Sequence, residues 1–275
     1  MRLHLEEGRR HRAFLGKYPS HGYRWLNAKI KLDQGVVYAD EFARRCRRYA
    51  GIRSQSKHYR HKAPGEPRKT YPNLILASLR LTGPTQCVAS DMTAFWAGKK
   101  YWELTLCMDL WDDGIVAYGP SAKKGDPSTY YDGMAGFLAM KEKYPELRTI
   151  FHSDQGSAYS SEAFNEMLLP HDITRTVSRV GTPADNGATE AINGWAKAEM
   201  LVDFRIGDAE DVPAAVAGYV EFFNEERPMC CLGYMTPKQY REAASERDPR
   251  PLPPYQCRHL PTVAYPKLNL MAMND

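Results

Sequence analysis

A chain of 275 residues, 43% apolar and 25% charged, is long enough to bury a substantial core, and no apolar run approaches the length of a membrane span. Met-Arg-Leu-His-Leu-Glu-Glu at the N-terminus has no apolar segment behind its charges, and cysteines at 46, 87, 107, 230, 231 and 257 include no Cys-x-x-Cys pair, so neither a secretory signal nor a secreted disulfide framework is expected. The net charge of +4 conceals a division: residues 1–85 carry 19 Lys/Arg against 6 Asp/Glu, or +13, and the remainder carries 18 against 27, or −9.

The basic front reads as a module of its own. His21 to Leu32 is expected to be a helix with Tyr23, Leu26 and Ile30 on one side, broken by Asp33-Gln-Gly35. A second helix, about Ala39 to Ala50, places Phe42, Cys46 and Tyr49 at helical spacing beside Arg44, Arg45, Arg47 and Arg48, with Gly51 as its stop. Two short helices joined by a Gly-containing turn suit a helix-turn-helix, and the arginine cluster suits a phosphate backbone. A solvated helix face followed by a charged linker is the plainer reading of the same charges. From Ser54 to Pro72 the composition turns to Lys, Arg, His, Pro and Gly; His58 and His61 there have zinc-like spacing, but no cysteine pair accompanies them.

Behind the linker, Gln86 to Met92 is a short run expected to be a strand ending in Asp91, and from Trp102 to Leu110 apolar residues alternate as in a half-buried strand. Asp112-Asp-Gly114 is a hairpin turn, returning through Ile115 to Tyr118. A helix follows from about Ser128 to Lys143, with Tyr131, Met134, Phe137 and Leu138 on one side. Then come a strand ending at Asp154, a helix about Ser161 to Leu169 and a strand Ile173 to Val177. Three antiparallel strands followed by alternating helix and strand describe an α/β sandwich with a mixed sheet. Two further helices complete the domain. On the first, Glu190, Asn193 and Lys197 share one face and Ala188, Ile192 and Trp195 gather opposite; on the second, about Asp208 to Asn224, Val212, Val216, Tyr219, Val220 and Phe223 form a core stripe.

Three carboxylates stand where chemistry could use them. Asp154 ends a strand and Gly156 turns the chain away; Glu190 opens a helix with 35 residues between them, after a loop rich in Gly, Pro, Asp and Asn. Asp91 and Asp154 come side by side if their strands are neighbours. Phosphodiester displacement needs charge neutralised on both attacking and leaving oxygens, which two hard cations held by carboxylates supply. Spacing alone does not establish the site, because 33 acidic residues offer many such combinations.

These residues also carry a resemblance. Asp91-x-Thr93, His152-Ser-Asp-Gln-Gly-Ser-x-Tyr159, Ser178-Arg-x-Gly-x-x-x-Asp-Asn-Gly-x-x-Glu190 with Lys197 seven residues on, and Asn224-x-x-Arg227-Pro followed by Leu232-Gly-Tyr and Thr236-Pro resemble bacterial insertion-sequence transposases with a retroviral-integrase core, more narrowly the catalytic product of the two-reading-frame group. The match spans about residues 20 to 242. It implies a ribonuclease-H-like, five-stranded mixed sheet flanked by helices behind a small basic helix-turn-helix-like domain. It also implies that Asp91, Asp154 and Glu190 form a DDE triad holding two Mg²⁺ ions, with Mn²⁺ able to substitute. Such enzymes nick at the ends of the element and direct the freed 3′-hydroxyl at a target phosphodiester, without a covalent protein intermediate.

The expected organisation is a basic DNA-binding module over 1–53, a linker over 54–82, the catalytic core over 83–245 and a proline-rich extended tail over 246–275. Candidate DNA contacts are Asn193, Lys197, Arg44, Arg45, Arg47, Arg48 and Arg179, the last opening a loop that corresponds to the mobile loop of integrases. The implied partners are terminal inverted repeats, target DNA, further copies of the chain on paired ends, and the helix-turn-helix protein of an upstream reading frame or a fusion with it. No membrane is expected, and the location is cytoplasmic, at the nucleoid when bound. Val88 replaces a common tryptophan, Phe223 a tyrosine and Met229 a histidine, which bears on end recognition and not on the triad. A catalytically silent DNA-binding or regulatory subunit of a transposition complex is the alternative, although it would not need the carboxylates.

Overall fold

The structure is a computed structural model that describes residues 2–51, 53, 55, 74, 81–154, 156–178 and 187–245, without the side chains of 2–6, 187–192 and 245. Most of the expected linker, His58, His61, Arg179 with its loop, and the 246–275 tail lie outside the described residues. The chain forms two compact units, one of Met1–Arg60, Trp96–Lys100 and Gly194–Tyr240, the other of His61–Phe95, Tyr101–Asn193 and Arg241–Asp275.

The sheet is built from β1 (Cys87–Ala97), β2 (Lys100–Asp109), β3 (Gly114–Ser121), β4 (Thr149–Ser153) and β5 (Ile173–Val177), in the spatial order β3-β2-β1-β4-β5. β2 and β3 are antiparallel, whereas β1, β4 and β5 run parallel, as strands joined through helices must. β2 is buried on both faces from Glu103 to Asp109, unlike the half-buried strand its alternation suggests. The reason is its place inside the sheet, with one face covered by helix α4 (Ser128–Lys141). Cover there is close: a Cβ on Gly119 of β3 would clash with the Thr129 carbonyl, so only glycine permits the approach.

On that face Val88, Cys107, Ala117 and Phe151 meet Met134 and Phe137 of α4 and Phe164 and Leu168 of α5 (Glu162–Leu168). The alternate residues Cys87, Ala89 and Ile150 pack with Leu110 on the other side. Ser161 caps α5 by accepting the Phe164 N–H, which is why that helix starts there. Sheet residues buried on both sides give β1 and β4 little freedom to shift register, which keeps the residues at their ends in place.

In the other unit, α1 (Arg2–Lys17), α2 (Tyr23–Gln34) and α3 (Asp40–Tyr49) form the basic helical module. Helix α1 has no clear apolar stripe in the sequence; His11, with its neutral form favoured mainly by burial, lies 3.0 Å from Glu7 within it. Gly35 ends α2 in the left-handed conformation, φ +66°, returning its N–H to the Lys31 carbonyl. Buried Lys29 donates to the Glu226 carbonyl at 3.1 Å and pairs with Asp33. Helix α7 (Val212–Glu225) supplies the expected stripe of Val212, Val216, Tyr219, Val220 and Phe223, all buried.

Between α6 (Gly187–Ala198) and α7 the backbone widens into a π-helical turn, Glu199–Asp203. The turn delivers two acids inward. Glu199 receives the guanidinium of Arg227 at 2.7 to 2.9 Å and the Tyr219 hydroxyl at 3.1 Å, and Asp203 receives the backbone N–H and hydroxyl of Ser20 at 2.8 and 2.6 Å. His21 lies 3.2 Å from Asp203 and stacks on Trp25. Trp195, expected on the core face of α6, is instead 51% exposed, with the Arg227 guanidinium 5.8 Å from its ring centre.

Candidate active site

Parallel pairing of β1 and β4 runs from Cys87↔Ile150 to Ser90↔Ser153. Asp91 and Asp154 each follow that last pair, so they stand side by side at the same level of neighbouring strands. Asp154 follows the last residue of β4, as expected, whereas β1 continues to Ala97, so Asp91 lies within its strand and not at its end; the longer strand forms because the residues after Asp91 continue in extended pairing into the turn at Gly98.

Each carboxylate is held by donors. Asp154 accepts the Gly156 N–H at 2.9 Å, and a Cβ on Gly156 would sit 2.9 Å from the same oxygen, so glycine lets the backbone wrap the carboxylate. Asp91 accepts the Met92 N–H at 2.8 Å through one oxygen and the Asn193 side-chain amide at 2.7 Å through the other. Burial raises the pKa of Asp154 above the ordinary carboxylate range, with the Gly156 bond opposing it.

Beneath the pair, Ser90 and Tyr159 share a hydrogen bond of 2.7 Å between hydroxyls, and Tyr130 meets the Tyr159 ring edge-on at 4.9 Å. Both phenols are kept protonated, first by burial; the charges of Asp154 and Asp91 add to this at each ring. Arg175 of β5 braces the segment after β4. It donates to the Ser153 hydroxyl at 3.0 Å and to the Tyr159 carbonyl at 3.1 Å while stacked against Phe151 and Phe164. His152 meets the Ser178 hydroxyl at 3.1 Å, tying β4 to the residue just before Arg179.

The expected site residues divide accordingly. Asp91, Asp154 and Asn193 come together. Glu190 lies in the first turn of α6, one turn before Asn193, with its side chain outside those described. Lys197 is in the last turn of α6, its pKa lowered by burial. Arg44, Arg45, Arg47 and Arg48 all lie on α3, where Arg44 is engaged by Glu41 at 2.6 Å and Arg45 and Arg48 are exposed. Arg179 lies outside the described residues. Sequence reasoning missed Tyr130 and Arg175, which carry no motif of their own; His152 and Tyr159 stood in a motif, but their roles beneath the site were not assigned.

Among the described residues no three His, Cys, Asp or Glu side chains make a metal-binding group. The donors present nevertheless fit a hard cation: two half-buried carboxylates side by side on neighbouring strands, and the Asn193 Oδ1, which is buried without a hydrogen-bond partner.

A mixed five-stranded sheet with acids side by side on two adjacent parallel strands defines a ribonuclease-H-like core of the integrase type. Residues 190–244 match the integrase core domain family. The chain is 28% identical over 177 residues to the transposase InsK of insertion sequence element IS150 from Escherichia coli, covering 64% of this chain and 62% of that one. It is 27% identical to the transposase of IS904 from Lactococcus lactis, covering 70% and 74%. The intasome structure of simian T-cell lymphotropic virus superposes with a TM-score of 0.51 at 15% identity, over 91% of this chain and 78% of the other. The chain is thus similar to transposases of bacterial insertion sequences, and its residues 190–244 to the integrase core domain. It spans less than two thirds of the IS150 relative's length.

Proposed function

We propose that this chain is a DDE transposase, the catalytic product of a two-reading-frame insertion sequence, which cuts DNA strands at the ends of its element and joins them to a target. The observation that carries the reading is the placement of Asp91 and Asp154 on adjacent parallel strands, with Asn193 of α6 on Asp91 and Glu190 one turn earlier on the same helix.

Asp91, Asp154 and Glu190 would hold two Mg²⁺ ions, which supply charge neutralisation on the attacking and leaving oxygens of an in-line displacement. Asn193 keeps the Asp91 carboxylate turned toward the site, and the Gly156 N–H does the same for Asp154. The first reaction breaks the P–O3′ bond at the element's end as water attacks phosphorus, leaving a 3′-hydroxyl and a 5′-phosphate. In the second, that 3′-hydroxyl loses its proton, attacks a target phosphodiester and displaces the target's 3′-oxygen, so one phosphodiester is exchanged for another. Lys197 and Arg179 would contact phosphates, and the α3 arginines would contact the duplex backbone. Assembly on paired ends, a circular DNA intermediate and joining to an upstream helix-turn-helix partner belong to the same proposal.

The test is strand transfer with Mn²⁺ and a pre-cut duplex bearing the inverted repeat that flanks the gene, comparing the parent with Glu190→Gln and Asp154→Asn. Joined product from the parent alone supports the reading. Equal product from the variants refutes the triad, and absence of product from both the parent and the upstream fusion, with DNA still bound, favours an accessory role.

A further inference from the structure

Tyr130 stands beside the carboxylates in a way that the triad does not account for. It lies in the first turn of α4, next to buried Thr129, whose hydroxyl accepts the Thr105 N–H at 3.2 Å and donates to the Gly119 carbonyl. Those bonds pin the start of α4 over β2 and β3. The Tyr130 ring meets Tyr159 edge-on at 4.9 Å, and Tyr159 in turn bonds Ser90, the residue before Asp91. The side chain is half-buried, and among the described residues its hydroxyl has no hydrogen-bond partner. Burial keeps the phenol protonated, aided by the charges of Asp154, Glu103 and Asp91. Its hydroxyl is therefore a donor within electrostatic reach of both strand acids.

The loop that leads into α4 adds positive charge on the same side. Lys124 carries its ammonium 5.7 Å from the centre of the Tyr101 ring on β2. The loop is held from within: buried Glu103 accepts the Gly125 N–H at 2.9 Å through both oxygens, and Asp126 accepts the Ser121 hydroxyl at 2.7 Å and the Ser128 N–H at 3.1 Å. Both acids of the segment are occupied by neutral donors, so neither is tied to a lysine. Lys123 and Lys124 are exposed, and among the described residues neither forms an ion pair.

A hydroxyl held as a donor and an ammonium without a carboxylate partner both call for an anionic acceptor. A DNA strand whose phosphodiester reaches Asp91 and Asp154 brings further phosphates past them, and such contacts fix position without reading bases. We propose that Tyr130 is a DNA-contact residue of this site, donating its hydroxyl to a phosphate oxygen next to the phosphodiester at the carboxylates, with Lys124 taking another phosphate of the same strand. The inference rests on the reading of Asp91 and Asp154 as the reacting centre, and adds to it the path by which the strand arrives.

The test measures fluorescence anisotropy of the full chain on the pre-cut inverted-repeat duplex, and on a set of the same duplex in which one phosphate at a time near the cleaved 3′ end is replaced by a neutral methylphosphonate. A hydrogen bond to a charged acceptor is worth roughly tenfold or more in affinity, so Tyr130→Phe, which keeps the ring on Tyr159, should bind the unmodified duplex about tenfold more weakly at an unchanged melting temperature. At one methylphosphonate position the parent should lose the same factor and Tyr130→Phe nothing further. Lys124→Gln should show that insensitivity at a second position, with a salt slope shallower by about one. Equal binding by the parent and Tyr130→Phe, or losses from variant and methylphosphonate that multiply at every position, would overturn the contact. Strand transfer reports separately: joining without the Tyr130 effect removes the contact alone, the Tyr130 effect without joining removes the transposase reading alone, and a parent that binds no DNA removes both.

Discussion

The side-chain amide of Asn193 donates to Asp91 at 2.7 Å, linking the second turn of α6 to the strand that carries the first acid. A hydrogen bond to one oxygen of a metal-binding carboxylate orients the other, and removing such outer partners typically costs about 10–100-fold in metal affinity or activity. Asn193→Ala should therefore lower strand transfer by roughly tenfold or more and raise the Mn²⁺ concentration needed for half-maximal product. Titrating Mn²⁺ in parent and variant checks this; a lower rate with an unchanged metal dependence would assign Asn193 to DNA instead.

On the proposed role of Asp154, pH bears on both stability and cation binding. Its pKa is raised in the folded chain, so the fold favours the protonated form; its contribution is full below the unfolded carboxylate pKa and declines as pH rises through the folded one. A divalent cation held as proposed would bind the ionised form and offset that decline. Mg²⁺ or Mn²⁺ should raise the melting temperature more at pH 7.5 than at pH 5, and Asp154→Asn should reduce the pH dependence of that shift, as read by thermal denaturation.

A second carboxylate pair behaves similarly with a different partner. Asp109 and Asp112 at the end of β2 are both buried; Asp109 accepts the Thr85 and Trp111 N–H groups, and Arg241 of α8 (Pro237–Ser245) pairs with Asp112. Burial first, then the charge of Asp112, pushes Asp109 up to about 8. An acid raised in the fold loses stabilisation as pH climbs from its unfolded pKa to its folded one, here from about 4 to about 8. Asp109→Asn should flatten the fall in melting temperature across that window, while Arg241→Met should steepen it by removing the cation.

Glu199 and Arg227 form a buried ion pair, and breaking such a pair by deleting one partner costs about 3–5 kcal/mol. Arg227→Ala should show that loss in denaturant unfolding. The effect on DNA binding should come through the fold, so a chain still folded at low temperature should retain affinity.

The exposed arginines of α3 carry no structural duty comparable to this. Arg45→Gln with Arg48→Gln should weaken duplex binding and reduce the salt slope by roughly one for each phosphate no longer neutralised, with little change in melting temperature.

Most of the sheet was legible because its strands are bounded by turn chemistry and its helices by caps: Ser161 before α5, Gly35 after α2 and the hairpin at Asp112-Asp-Gly114 all act over a few residues. Trp195 was misread because helical spacing separates two faces but does not tell which one a neighbour covers. The π turn was illegible, since Glu199 and Asp203 become inward-facing only when Arg227, Tyr219 and Ser20 arrive from distant segments. Lys29 looked like a surface lysine until the Glu226 carbonyl met it.

Local chemistry alone settled that Asp154 follows a strand end and that Glu190, Asn193 and Lys197 share a helix, because backbone periodicity and turn preferences act within a few residues; it stopped β1 too early, at Asp91, where the strand runs on to Ala97. That β1 lies beside β4 in the register that aligns the two aspartates, and that Asn193 reaches Asp91, depended on packing between segments far apart in the chain. Such contacts depend on which faces must be buried together and on closing long loops, quantities that no local pattern encodes.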